Sequence, residues 1–497
     1  MYPFAERLAS VHPVRLENTS PILLVVASST HNLIVLSDVH LGSDLVHHAQ
    51  PDAPRRARWA ERRDRDLAAL LAWYRDHRAD GRPWRLVIAG DFIDFAGMSV
   101  MTDAAFETAP TAEERAHGLG GAKDHTLAKL RLVLEHDSAV IQSLAEFVAA
   151  GHSLVLVRGN HDVEWHWQEV QDEFRNELAR RAPVSPEKIE FSPWFYYEEG
   201  VVYVEHGHQY DAYCSYEHVL HPVSPADPRR TTRSLSDVLL RYVVRPTRGM
   251  TEAGHAAAGM LDYLRFAGRL GARGMLDLAR RFVLATHALI DLWREHVSDA
   301  ARWVRREHEA RMKQLSRIHH IKLRRLRSLA RLQRPPVTKS LLAILTSVML
   351  DRVALALLGL LLTTVLLVSI ESWSLALPCA MASAAVLFAA GVMWRRMRHA
   401  IEPSAELRER STRVARLFPA AFIVMGHTHL PETRPATQQA TYVNLGAWAE
   451  DDAPEGHVPM LPATRTHLVL QRIDGRAVAE LLTWGPSGPE PFASKAS

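Results

Sequence analysis

The sequence predicts a layered α/β fold interrupted by a large helical insert, and three observations predict it. Five short apolar runs, at residues 33–36, 86–89, 154–157, 201–204 and 421–425, each end at a loop built from Gly, Asp, Asn and His. Helix-like stretches at 62–77 and 126–150 lie between them. More than two hundred residues of different composition separate the fourth run from the fifth.

Runs of Val, Ile and Leu bounded by Gly, Asp and Asn read as buried strands. The polar residues that follow then sit where strand gives way to loop, the usual ligand position in layered α/β folds. Residues 441–446 and 464–484 read as further strands, the second folded back at the turn Ile473-Asp474-Gly475-Arg476. Residues 21–27 are also expected to form a strand, because the stretch is short for a signal sequence and no dense basic region precedes it.

The chain has 497 residues, enough for two or three domains, and a formal charge of only +3. The positive charge is concentrated in 302–339. Two cysteines, Cys214 and Cys379, exclude a disulfide framework and a zinc ribbon and suit a reducing compartment.

The five loops carry Asp38-Val39-His40, Gly90-Asp91-Phe92-Ile93-Asp94, Gly159-Asn160-His161-Asp162, Glu205-His206-Gly207-His208 and Gly426-His427-Thr428-His429. Carboxylate and amide oxygens mixed with imidazoles suit a pair of divalent ions such as manganese, iron or zinc better than a thiolate-bound structural zinc. Asp-x-His or Gly-Asp-x-x-Asp alone marks many plain turns. All five fragments in order, each after an apolar run, are a far more specific signal. In extended backbone, residues two apart share a side, so Asp38 and His40 can hold one ion together. His427 and His429 could do the same, or a loop could aim them at different ions. His208 and Asp211 could line the site or brace its loop.

In order and spacing these motifs resemble the calcineurin-like metallophosphoesterases, over roughly 31–215 and 415–450. The resemblance implies an αββα sandwich and hydrolysis of a phosphoester or pyrophosphate by metal-activated water. It implies two divalent ions, manganese first and iron or zinc as alternatives. Asp38, His40 and His429 would hold one, Asn160, His206 and His427 the other, with Asp91 bridging them. A bridging carboxylate lets two ions polarise one phosphate and a shared water. Asp94 and His161 would form a dyad in which the carboxylate orients an imidazole that protonates the leaving oxygen. Service as a hydrogen-bonding neighbour of the metals is the simpler role for His161. Ser37-Asp38-Val39-His40-Leu41-Gly42 with His206-Gly207-His208 is similar to the bacterial branch that includes UDP-2,3-diacylglucosamine hydrolases. Where those have Arg after the Asn, this chain has His161.

The organisation expected is a first catalytic part at 1–217, a basic helical insert at 218–340, a membrane hairpin at 341–397 and a second catalytic part at 398–497. Residues 218–249 read as loop and 253–334 as long helices, stopped by Pro335-Pro336. The uncharged apolar segments at about 353–370 and 373–394 each reach the length that crosses a bilayer as a helix. Arg324, Arg325, Arg327, Arg331, Arg334 and Lys339 precede them, and Arg395, Arg396 and Arg398 follow. Positive flanks at both outer ends place both catalytic parts on the cytoplasmic side of an inner, cytoplasmic membrane, and Trp373 and Trp394 fall at interfacial depth. Residues 341–350, ended by Asp351 and Arg352, read as a packed or interfacial helix leading in.

The expected enzyme is thus a membrane-anchored metal phosphoesterase whose partners are a phosphoester substrate, lipid-linked in the leading reading, the membrane, and anionic headgroups at the basic segment. A phosphomonoesterase, nucleotide phosphodiesterase or nuclease acting on soluble substrate is the alternative within the enzyme class. A membrane-associated scaffold is the alternative outside it, and the completeness of the motif set argues against that. The basic segment abuts an apolar span, so lipid is a simpler partner for it than nucleic acid.

Overall fold

The computed structural model describes residues 30–46, 53–247, 268–347, 402–449, 464–473 and 476–492, with isolated positions between 359 and 386. The expected strand at 21–27 lies outside these residues, as do most of the two apolar spans.

Among the described residues twelve strands form two sheets. They are β1 (Asn32–Leu36), β2 (Trp84–Ala89), β3 (Ser153–Val157), β4 (Ile189–Ser192), β5 (Phe195–Glu198), β6 (Val202–Glu205), β7 (Phe422–Met425), β8 (Glu432–Pro435), β9 (Thr441–Asn444), β10 (Thr466–Ile473), β11 (Arg476–Gly485) and β12 (Gly488–Pro491). One sheet has the order β12-β11-β10-β1-β2-β3-β4, the other β5-β6-β7-β9-β8. The five apolar runs become β1, β2, β3, β6 and β7, and the strands expected at 441–446 and 464–484 become β9 and the β10–β11 hairpin. Ile473 pairs with Arg476 across the expected turn.

Register explains the layering. β1 to β4 are parallel, and Val35 lies beside Val87 on one side and Leu468 of antiparallel β10 on the other. In the second sheet Val204, Val424 and Val443 are in register across parallel β6, β7 and β9. All six belong to one buried cluster between the sheets. Because strand side chains alternate, the intervening residues face outward. Ile34, Leu86 and Ile88 meet Leu67, Leu70 and Leu144 from helices α1 (Ala53–Asp76) and Ser138–Ala149. Tyr203, Ile423 and Tyr442 meet Met312, Leu326 and Leu407 from Ala301–Ile318, Leu323–Ala330 and Pro403–Leu417. The expected αββα sandwich is this arrangement. Each fully buried Val, Leu or Ile stabilises it by roughly 1.5–3 kcal/mol, so a charge at Val87 or Val424 would be among the most damaging single changes.

The sequence and the structure part in two places. The single helix expected at 126–150 is two, α3 (Lys123–His136) and α4 (Ser138–Ala149), after a short α2 (Ala112–His117). Asp137 leaves helical geometry between them, and its Oδ1 accepts from Arg63 Nη2 of α1 at 2.9 Å. The stretch expected as loop at 218–249 contains a helix, Leu235–Leu239, continued by a π turn at Leu240–Val244. A reciprocal Ser234/Asp237 cap starts it, and Leu235, Val238, Leu239 and Val243 bury one side against Leu278, Ala285 and Leu289 of Gly271–Val297. The Pro and Arg around this short apolar stripe hid it.

Among the described residues of the stretch expected as helical, helices lie at Gly271–Val297, Ala301–Ile318 and Leu323–Ala330. Leu341–Ser347 is a packed helix whose Ile344 is buried in the insert's own core. Arg334 pairs with Glu406 at 2.7 Å and Lys339 with Glu217 at 2.8 Å, so part of the basic stretch is spent tying insert to sandwich. Among the described residues no helix is long and apolar enough to cross a membrane.

Candidate metal centre

The loops after β1, β2, β3, β6 and β7 converge at one end of the sandwich, because the parallel strands of each sheet deliver their carboxyl ends together. His429 Nε2 lies 3.1 Å from Asp38 Oδ1, and the His427 backbone N–H donates to Asp38 Oδ2 at 3.1 Å. His206 Nε2 is 3.2 Å from Asp91 Oδ2 and 3.0 Å from Asn160 Oδ1. His40 Nε2 faces the same Asp91 Oδ2 at 3.8 Å. Asp91 therefore lies between the His40 and His206 imidazoles.

Donor atoms of Asp38, His40 and His429 are close enough for one ion, as are those of Asp38, Asp91 and His206, and those of His40, Asp91 and His161. A further such group, Asp211, Cys214 and His427, sits beside them. His427 makes its side-chain contact with Asp211 Oδ2, 3.1 Å from Nε2, while its ring stays 5.2 Å from that of His206.

The local backbone is shaped for these contacts. Asp38, His40, Asp91, His427 and His429 all adopt positive φ, between 53° and 70°. Non-glycine residues rarely do so, and such strain collects at functional sites. Gly90, at φ 88°, runs against His206, whose Nδ1 a Cβ would meet at 2.5 Å. That nitrogen donates to Ala89 O at 2.9 Å, which leaves Nε2 to face Asp91 and Asn160.

The residues fit a divalent pair. Among the described residues His40 Nε2 is buried without a hydrogen-bond partner, a costly state for an imidazole nitrogen unless something else meets it. Hard oxygens and imidazoles make up the rest of the set. Burial pushes the Asp38 carboxyl up, but His429 and His206 outweigh this and hold it at about 2. Burial likewise opposes ionisation of Asp91, and His206 and His161 bring it well below the usual carboxylate range. His206 is depressed by burial and raised more by Asp91 and Asp38, to about 9. Charges this close share protons that a metal would displace.

Asp94 and His161 are in contact, with His161 Nδ1 2.6 Å from Asp94 Oδ1. The dyad has a third member that the sequence did not reveal. Arg245 Nη2 donates to Asp94 Oδ2 at 3.0 Å, and its Nη1 donates to Ser43 O at 3.1 Å. Its signal was lost in the Arg-rich stretch read as loop. Asp162 is spent on structure, accepting from Phe92 N at 2.8 Å and Gly159 N at 2.7 Å. His208 is buried, with Nε2 2.9 Å from Gln209 Nε2.

Residues 31–246 match the family model of the calcineurin-like phosphoesterases. The match takes in four of the five loops and Arg245, which follows the π turn at Leu240–Val244. No curated protein matches the chain.

Proposed function

From a calcineurin-like phosphoesterase domain over residues 31–246, we propose that this chain is a membrane-anchored dinuclear-metal phosphoesterase that cleaves a phosphoester or pyrophosphate bond, with a lipid-linked compound as substrate. The observation that carries the catalytic part is the position of Asp91 between His40 and His206. Asp38, His40 and His429 are the residues for one ion, Asn160, His206 and His427 for the other, with Asp91 shared. Manganese suits this mixture of oxygen and imidazole donors, and iron or zinc could replace it. Two bound ions would polarise the phosphoryl group and lower the pKa of a water, supplying the nucleophile at neutral pH.

The chain's own contribution is position and proton transfer. Asp94, braced by Arg245, accepts from His161 Nδ1 and fixes the ring, so that Nε2 is the atom that delivers a proton to the leaving oxygen. The carboxylate beside it favours the protonated imidazole.

The membrane part is supported by exposure. In the two apolar segments Leu361, Val368, Leu375 and Val386 are helical and 59%, 79%, 63% and 67% exposed. A hairpin belonging to a soluble core would bury them. With the basic flanks, this favours spans at about 353–370 and 373–394 with the metal centre on the cytoplasmic side. A lipid-linked substrate follows from that placement, as do anionic headgroups as partners of the basic segment. The hydrolases of UDP-2,3-diacylglucosamine offer the chemical pattern, a pyrophosphate beside a lipid.

Turnover by the detergent-solubilised, manganese-loaded protein across monoesters, diesters and lipid-linked diphosphates tests the activity, and failure on all three sinks it. Full-length protein found in the soluble fraction without detergent would remove the anchor. Replacing 353–394 by a flexible linker, which keeps Ile344 in its core, should then yield soluble enzyme active on small esters and weakened on vesicle-bound ones.

A further inference from the structure

A second chemically distinctive place adjoins the metal centre. A cavity of ≈ 30 Å³ lies between the catalytic domain and the first helix of the insert, with Asn160 in its wall. One oxygen-sized group needs roughly 10–15 Å³ measured this way, so about two fit. The floor is charged and buried: Lys129 is 2% exposed and Glu164 5%. The rim, at Ala96, Thr232, Arg233 and Asp237, is partly exposed. Ala96 N donates to the carbonyl of His161, which places the rim against the dyad.

The floor has hydrogen-bonding capacity in hand. Among the described residues the Lys129 ammonium makes one hydrogen bond, to Phe95 O at 3.0 Å, and an ammonium has three protons. Glu164 Oε1 meets Thr231 Oγ1 at 3.3 Å, and its Oε2 is buried without a hydrogen-bond partner among the described residues. No ion pair joins Lys129 to Glu164 among the described residues, so the cavity separates an unspent donor from an unspent acceptor.

That pairing selects against an anion. Arg241 and Arg233 also line the cavity, but both are committed to Glu113, and Arg241 also to the backbone of Gly118. Lys129, Arg233 and Arg241 balance Glu164, Asp237 and Glu113, so no net positive charge draws an anion in, and Asp237 Oδ2 is itself taken by Tyr216 Oη and Ser234 N. A hydroxyl group accepts from Lys129 and donates to Glu164 at once, and two neighbouring hydroxyls would use Thr231 as well. We propose that this cavity seats a neutral hydroxyl-bearing part of the substrate, a sugar or polyol, beside the phosphoester held at the metal centre. The inference rests on the phosphoesterase reading for the identity of its second half. It makes the segment 231–241 a determinant of specificity, because Thr231 and Asp237 come from it.

The test uses two monoesters that differ only in two hydroxyls, glycerol 1-phosphate and propyl phosphate, with manganese-loaded full-length protein in detergent. Phosphate release gives kcat/KM for each, and calorimetry gives each Kd. A site built to hydrogen-bond hydroxyls should favour the glycerol ester by about tenfold or more. The margin should fall to within about threefold in Lys129→Met and, as a milder change beside Glu164, in Thr231→Val. Equal kcat/KM and equal Kd for the two esters in the wild-type protein would mean that the cavity holds water only, and would overturn the proposal. So would a margin that survives in both variants while their circular dichroism matches the parent. If neither ester is hydrolysed but the margin in Kd is present and Lys129-dependent, the phosphoesterase reading fails and the hydroxyl site stands.

Discussion

Asp211 Oδ2 lies 3.1 Å from His427 Nε2, so His427 donates from that nitrogen and keeps Nδ1 as its lone-pair atom. Asp211 is itself fixed, because its Oδ1 accepts from Tyr213 N at 2.9 Å. A carboxylate that sets the tautomer of a metal-ligating imidazole commonly carries 10- to 100-fold in metal affinity or activity. Asp211→Ala should accordingly weaken retention of one of two manganese ions by roughly that factor, read by metal analysis after dialysis against graded chelator. Cys214→Ser distinguishes the roles. If the Asp211, Cys214 and His427 group is itself an ion site, the serine variant loses metal too. If Asp211 only orients His427, it does not.

Asp91→Ala should reduce both metal occupancy and turnover, because Asp91 is the carboxylate that both the His40 and His206 sides approach. Two tightly bound ions in the folded variant would show that Asp91 bridges nothing.

For the dyad the informative variable is the leaving group. His161→Gln should retain its metals and lose roughly 10²- to 10⁴-fold in rate on alkyl esters, with a smaller loss on nitrophenyl esters that leave without help. Arg245→Gln should move rates in the same direction by less, since Asp94 still holds His161 without it. Equal losses of His161→Gln on both classes would exclude proton donation.

The candidate metal centre was legible in the sequence because each residue proposed to hold an ion stands within a few residues of a strand end, and strand ends are marked by short apolar runs. Of the residues that contact it, Asp211 stood out only as one that could line the site or brace its loop, and Arg245 not at all. Arg245 reaches Asp94 across 151 residues, and Asp211 reaches His427 across 216, through an insert whose packing no local pattern announces. The helix at Leu235–Leu239 was missed for a related reason: five residues carry too little periodicity to stand out from the Pro and Arg around them. Asp137 shows the converse. Nothing near it demands a break in a helical stretch, and the break follows the contact with distant Arg63.

The last prediction concerns stability. His467 on β10 is fully buried, and its Nε2 accepts from Tyr74 Oη at 2.8 Å. Burial depresses its pKa to about 3. The unfolded chain takes up a proton at this residue below roughly pH 6.5, whereas the folded chain does not until near pH 3, so the unfolded state binds more protons throughout that window. Stability from neutral His467 is therefore fully present above about pH 6.5 and is lost as pH falls towards 3, at no more than about 1.4 kcal/mol per pH unit. Urea midpoints of metal-free protein between pH 7.5 and 4.5 should fall with acid, and His467→Gln should flatten the slope by close to one proton. An unchanged slope in the variant would mean that His467 is protonated in the folded protein, or reached by water, and that β10 is not closed over it.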